Sequence, residues 1–384
     1  MPAPTTTILF GACDRHNLGD LLFPHITAAL LTDTPLLYAG LATRDMRAFG
    51  GHAVTGIAEI ARELGSTPVN LIHVGGEILT CSAQDAALML MSAREMRHQD
   101  GPMGSARAPY VVAKRLFANP AVFVHNAVGG AALDHCDAGL REEVAAALRA
   151  ADVVSVRDRH TQHSLAEMGI DATLTPDPGV MVAELFAERI AHHQETGAAA
   201  EMRRAWPAGF LAVQFSSDFA DDASLDTLAA QFDRIVSETH HAVVFFRAGA
   251  APMHDDLDAY RKVQRRMRHA PRTDLFESLN IWDICALIAG SQGFVGSSLH
   301  GRIVALAHGL PRVTLSNGPL VPDKHLAFIE AWEDPAMPGV VSLADTADAA
   351  SAALRVPRQA SLATARRLAA LYRNNCAAWL TRLA

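Results

Sequence analysis

The chain is poor in several features, and each absence narrows its identity. Its 384 residues hold five cysteines (Cys13, Cys81, Cys136, Cys285 and Cys376), none in a Cys-x-x-Cys pair. That argues against a disulfide framework or a zinc site and for reduced thiols. Eighteen histidines form no His-x-His or His-Glu-x-x-His spacing, so no metal is expected. No apolar run approaches the ~18 residues that span a bilayer. The opening Met-Pro-Ala-Pro-Thr-Thr-Thr carries no basic segment, so no secretory signal is expected and the chain reads as cytoplasmic. Lysine is nearly missing: only Lys114, Lys262 and Lys324 accompany thirty arginines. The net charge of −8 speaks against a dedicated nucleic-acid binder.

What is present is apolar and regularly punctuated. Half the residues are hydrophobic, and the length suits two domains with their own cores. In the first half, apolar runs at Ile8–Ala12, Leu36–Ala39, Val69–Val74, Ala121–Val128, Val153–Val156 and Ala172–Leu174 alternate with helical stretches. Those stretches include Gly56–Leu64, Gln84–Arg97 and Leu140–Ala150. Strands alternating with helices imply parallel βαβ units. Residues 184–207, with an alanine-rich middle and a Trp-Pro end, read as a linker. The alternation restarts at Phe210 and runs to Leu315, through a predicted strand Ala242–Arg247 and helices Asp255–Met267 and Leu299–His308. From Ser361 to Leu383, apolar residues recur at steps of three and four, an amphipathic helix. The expected architecture is therefore α/β: two Rossmann-like, doubly wound domains facing a cleft (residues 1–183 and 208–356), with a C-terminal helix (357–384) returning to the first domain.

Several strand ends carry candidate chemistry. Phe294-Val-Gly-Ser-Ser-Leu-His-Gly-Arg302 passes from a strand into a helix whose N-terminus favours an anion. Ser297, Ser298, Gly301 and Arg302 are candidate anion ligands there, and His300 is a candidate acid or base. A capped helix with a surface His and Arg explains the same residues. Asn17-Leu-Gly-Asp20 follows the first strand; Asp20 suits the N-cap of a helix beginning at Leu21. Gly75, Gly76 and Glu77 close another strand, where glycines permit close approach or simply a turn. Arg157 and Arg247 stand at strand ends as further anion ligands, with a salt bridge to Asp158 the alternative for Arg157. Asp177, between two prolines, reads as a turn residue, and the acids after His254 as caps. The basic run from Arg261 to Arg272 reads as a solvated helix face, with contact to anionic lipid or to a phosphorylated acceptor as the other reading.

In this order, Asn17–Asp20, Gly75-Gly76, Ser155–Asp158, Pro176–Pro178 and Ser298–Pro311 resemble the polysaccharide pyruvyl transferase family. The last block is the most specific. The resemblance implies a GT-B-like fold, phosphoenolpyruvate as co-substrate without a further cofactor, and a saccharide or lipid-linked saccharide as acceptor. It implies His300 and Asp20 in catalysis, and Arg157, Arg247 and Ser297–Arg302 around the donor. Asn17, Gly19, Gly75, Gly76 and Glu77 then fall to the acceptor. Family members often carry an arginine where this chain has Ser298. A glycosyltransferase using a nucleotide sugar and a non-catalytic saccharide-binding descendant are the alternatives. Peripheral membrane contact and a second copy of the chain stay open as partners.

Overall fold

A computed structural model describes residues 5–31, 34–90, 106–252, 254–318 and 323–383. Its contacts divide the chain into two compact units. The first comprises Met1–Pro178, Pro322–Ala331 and Ala369–Ala384; the second comprises Gly179–Val321 and Trp332–Leu368.

The first unit is built on an eight-stranded sheet. Its strands are β1 (Thr6–Phe10), β2 (Leu36–Gly40), β3 (Arg44–Asp45), β4 (Ala53–Gly56), β5 (Val69–His73), β6 (Pro120–Val128), β7 (Val153–Val156) and β8 (Thr173–Leu174). The spatial order is β3-β4-β2-β1-β5-β6-β7-β8, parallel except for the β3–β4 pair. The chain winds outward from β1 to β2 and then returns to β5 on β1's other side, with Ile8 opposite both Leu37 and Leu71. Such a reversal opens a crevice at the carboxyl ends of the two strands. β5 is buried along its whole length, as expected where helices cover both faces. The expected helix Gln84–Arg97 is seen as Ala83–Leu90; its remainder lies outside the described residues.

The second unit has six strands: β9 (Phe210–Gln214), β10 (Ala242–Phe246), β11 (Thr273–Phe276), β12 (Gly293–Gly296), β13 (Arg312–Ser316) and β14 (Val340–Ser342). Their order is β11-β10-β9-β12-β13-β14, all parallel. Here the winding reverses between β9 and β12. Residues 184–207 are not a linker. They form helices Ala187–Thr196 and Ala198–Ala205, which belong to the second unit. His193 Nδ1 lies 2.6 Å from Asp283, and Arg189 stacks over Trp282, so helix Ile281–Ala289 anchors them. The C-terminal helix, Arg358–Leu383, buries Ala365, Leu368, Tyr372, Cys376 and Trp379, the predicted stripe. Its part beyond Leu368 belongs to the first unit, where the Tyr372 hydroxyl accepts from Asn126 at 2.7 Å.

No described helix is long and apolar enough to cross a membrane. The basic helix face pairs with acids: Arg261 with Asp258 and Glu277, and Arg266 with Asp222 and Asp226. All five thiols are free. Burial raises Cys81 to about 11 and Cys376 to about 12, and it also raises Cys13 and Cys285.

Candidate active site

In the second unit three loops meet where the strand order reverses. β12 ends at Gly296, opposite Gln214 at the end of β9. Ser297 donates its N–H to the Gln214 carbonyl at 3.2 Å, and its hydroxyl accepts from the Ser216 N–H at 3.0 Å. Ser298 is the N-cap of helix Leu299–Ala307, its Oγ accepting from the Gly301 N–H at 3.1 Å. This places half-buried His300 in the first turn, at the positive end of the helix dipole. A Cβ on Gly301 would lie 2.6 Å from the Phe294 ring. Gly301 is therefore present so that the helix can press onto β12, and its N–H is taken by the cap. The structure assigns it packing and not donor contact.

The loop after β10 brings a charged pair to the same edge. Arg247 is half-buried, with its Nε enclosed and without a hydrogen-bond partner. Asp255 accepts from Gln214 Nε2 at 2.7 Å and from the Ala248 and Gly249 N–H groups at 2.6 and 3.1 Å. Burial pushes its carboxyl up to about 7, against the lowering effect of these donors and of Arg247. Asp255 was expected to be a cap. The cap of helix Leu257–Arg266 is its neighbour Asp256, which frees Asp255 to bind the loop together.

Arg302 is not a donor ligand. It is wholly buried, facing away from the helix N-terminus. Its Nε and one terminal nitrogen grip Glu333 at 2.7 and 2.9 Å, and it also donates to Thr314 and to the Pro338 carbonyl. Arg312 shares the same carboxylate at 2.7 Å. Burial would raise Glu333, but the two guanidiniums hold it below the usual range. All of Arg302's donors but one are committed and the side chain is wholly buried, so no anion reaches it.

In the first unit, Asn17 caps helix Leu18–Ala29, its Oδ1 accepting from Gly19 and Asp20. The helix thus begins three residues earlier than Asp20 as N-cap would require. That puts Asp20 in the first turn, commits the Asn17 oxygen and buries Gly19. Asp20 stands beside Gly76, where a Cβ would lie 3.4 Å from its carboxylate. Gly75 and Gly76 have φ of 124° and 95°, a region open mainly to glycine. Glu77 and Arg157 leave the list of ligands. Arg157, almost fully buried, bridges Glu77 at 2.6 Å and Asp177 at 2.8 Å, and Glu77 also accepts from the Ala131 N–H. Asp158 caps helix Arg159–Glu167 through Thr161. The pair sought at Asp158 is thus made elsewhere and is structural.

Local patterns missed a second group. Arg15 donates to the Tyr110 hydroxyl at 2.7 Å and lies 3.4 Å from Asp20. Tyr110 donates to Asp14, which also accepts from the Leu41 and Ala42 N–H groups. Arg15 sits two residues before the Asn17 motif, and its proximity was the one signal available. Among the described residues no cluster of His, Cys, Asp and Glu could hold a metal ion.

A family model described as polysaccharide pyruvyl transferase matches residues 114–319. The chain belongs to this family. The matched span takes in Ser155–Asp158, Pro176–Pro178 and the block from Ser298 to Pro311. As a family member the chain is a transferase of polysaccharide modification. No curated protein sequence matches it. Solved structures share its architecture. UDP-GlcNAc 2-epimerase from Neisseria meningitidis, bound to UDP-GlcNAc, is 10% identical with a TM-score of 0.59 and covers 99% of this chain and 100% of its own. The UDP-GlcNAc 2-epimerase of Methanocaldococcus jannaschii is 10% identical with a TM-score of 0.58, covering 95% and 99%. A glycosyltransferase from Rickettsia africae ESF-5 is 12% identical with a TM-score of 0.51, covering 99% of each. At such identity the likeness carries the fold: two parallel-sheet α/β units of the GT-B-like kind.

Proposed function

We propose that this pyruvyl transferase family member moves a pyruvyl group from phosphoenolpyruvate to two hydroxyls of a saccharide, forming a ketal. The observation that carries the reading is the second unit's sheet edge, where a helix N-terminus, Arg247, His300 and Asp255 share one set of interlocked loops. Phosphoenolpyruvate brings a carboxylate and a phosphate, and such an edge suits an anion. Arg247 and the helix N-terminus would hold it, with Ser297 and Ser298 shaping the turn.

The chemistry needs a proton delivered to the methylene carbon, which leaves C2 cationic. One sugar hydroxyl adds to C2 and gives up its proton; phosphate then departs with the C2–O bond electrons, and the second hydroxyl adds to the C2 cation left behind, loses its proton to the phosphate and closes the ketal. His300 is the proton carrier in this scheme. Asp255, whose carboxyl burial raises to about 7 in the neighbouring loop, is suited to tuning that edge. Asp20 of the first unit would orient or deprotonate the acceptor hydroxyl.

The test incubates the purified chain with phosphoenolpyruvate and a panel of free and lipid-linked saccharides, and measures phosphate release and acid-labile pyruvate on the product. Saccharide-dependent release supports the reading. UDP or GDP raising the melting temperature while phosphoenolpyruvate leaves it unchanged would point to nucleotide-sugar transfer instead.

A further inference from the structure

Two histidines lie in the interior of the first unit and take no part in the chemistry proposed above. His73 ends β5, and His125 stands opposite it on β6. Both are wholly buried, with their ring centres 3.9 Å apart and their planes within 11° of parallel. The contacts of His73 fix where its hydrogen sits. The Val112 N–H can only donate, and it does so to Nε2 at 3.0 Å. Nδ1 therefore carries the hydrogen and donates to the Val124 carbonyl at 3.2 Å. Phe10 of β1 packs edge-on against the same ring. Neither nitrogen of His125 has a hydrogen-bond partner.

A second proton on His73 has one place to go, Nε2, and there it meets another donor. The charged ring and the Val112 N–H cannot both keep their places, so the segment carrying Val112 must withdraw. The stacked neighbour does not offset the charge, being a second imidazole and not a carboxylate. Burial opposes a proton on either ring, and at His125 the charge of His73 adds to it. The segment, residues 108–112, holds Tyr110, whose hydroxyl accepts from Arg15 and donates to Asp14. The titratable groups around Tyr110 are Arg15, Asp14, Cys81 and Asp20. Glu143 faces the start of the segment, accepting from the Arg107 and Ala108 N–H groups.

We propose that His73 is an acid-sensitive latch within the first unit. Neutral, it holds the 108–112 segment against the sheet through the Val112 N–H. Protonated at Nε2, it releases the segment, and with it the Tyr110 hydroxyl that receives Arg15 beside Asp20. Burial lowers His73 from its ordinary 6.5 to about 4, so the released state takes up a proton that the latched state refuses. The latched state is therefore favoured most above pH ~6.5 and loses ground as the pH falls toward ~4. No covalent bond changes, and the inference does not depend on the pyruvyl-transfer reading.

The test is hydrogen–deuterium exchange of the intact chain, read peptide by peptide at pH 5, 6 and 7 and corrected for the intrinsic exchange rate. A ring that titrates at 6.5 when released and at about 4 when latched should cost the 106–113 peptide at least ~20-fold in protection between pH 7 and pH 5. Strand β10 of the second unit, Ala242–Phe246, should keep its protection over that range. His73→Gln puts an amide oxygen within reach of the Val112 N–H and cannot take a proton, so protection of the segment should become nearly independent of pH. Asp14 and Glu143 are common to parent and variant, and the difference isolates the ring. His125→Phe keeps both the stack and the latch, and the fall should persist in it. Protection in the parent that does not change with pH would overturn the inference, as would an equal fall in His73→Gln. Disappearance of the fall in His125→Phe would make His125 the sensor and overturn it too. A parallel loss at β10 would mean unfolding of the whole chain and not a latch.

Discussion

Asp255→Asn should make the protein more stable, by an amount that grows as the pH rises from ~4 to ~7. A carboxyl raised from its ordinary 3.8 to about 7 is held protonated by the fold. Its contribution is therefore fully present below pH ~4, is lost as the pH rises to ~7, and is flat beyond. Three pKa units correspond to about 4 kcal/mol, trimmed to ~2–3 kcal/mol because the residue keeps some solvent contact. An amide cannot ionise, and its oxygen still accepts from the Ala248 and Gly249 N–H groups. The new amide N–H meets Gln214, whose Oε1 is buried without a partner and can accept it once the side-chain amide turns over. Equilibrium urea unfolding at pH 4, 6, 7 and 8 measures the gap between variant and parent. It should be near zero at pH 4 and grow to ~2 kcal/mol at pH 8, or roughly 4–8 °C in Tm. A gap independent of pH, or a variant weaker than the parent at pH 8, would refute the argument. Loss of turnover in the stabilised variant would identify Asp255 as a group kept for chemistry at the expense of stability.

The other expectations follow from single contacts. Glu333→Gln leaves two buried guanidiniums without their counter-charge and should cost about 3–5 kcal/mol in a urea melt. Gly301→Ala drives a methyl into the Phe294 ring and should cost about 1–3 kcal/mol, measurable as a drop in Tm with unchanged oligomeric state. His300→Ala should lower turnover at least ~100-fold with Tm close to the parent's; near-normal turnover would remove His300 as the proton carrier. Arg247→Met should abolish the rise in Tm that phosphoenolpyruvate confers, whereas Arg302→Met should lower Tm with or without it.

The alternation of apolar runs made both sheets legible, because strands buried on two faces are mostly apolar, as β10 is along its whole length. β11 and β14 escaped, being partly exposed edge strands with polar residues among the apolar ones. The helix after β12 was legible to within one residue, expected over Leu299–His308 and observed over Leu299–Ala307, since Ser298 and Gly309 mark its ends. What the motif there could not show was direction. His300 and Arg302 are two apart, so they lie on different sides of the helix: one is half-buried near the N-terminus, the other meets a glutamate 31 residues away. Likewise nothing local distinguished Asp255 from Asp256, because only the hydrogen bonds of the loop decide which acid caps the helix. Arg15 and Tyr110, 95 residues apart, share no pattern at all.

The five free thiols offer a way to watch each unit breathe. Cys136 is the one thiol that is not buried, so it should be alkylated first, without any opening of the fold. Cys13, Cys81 and Cys376 lie in the first unit and Cys285 in the second, all enclosed. Their labelling must wait for local or global opening. Peptide-resolved alkylation kinetics would then yield separate opening rates for the two units in the native protein, with no probe introduced. A ligand that enters one unit should slow its own cysteines and leave the other's unchanged.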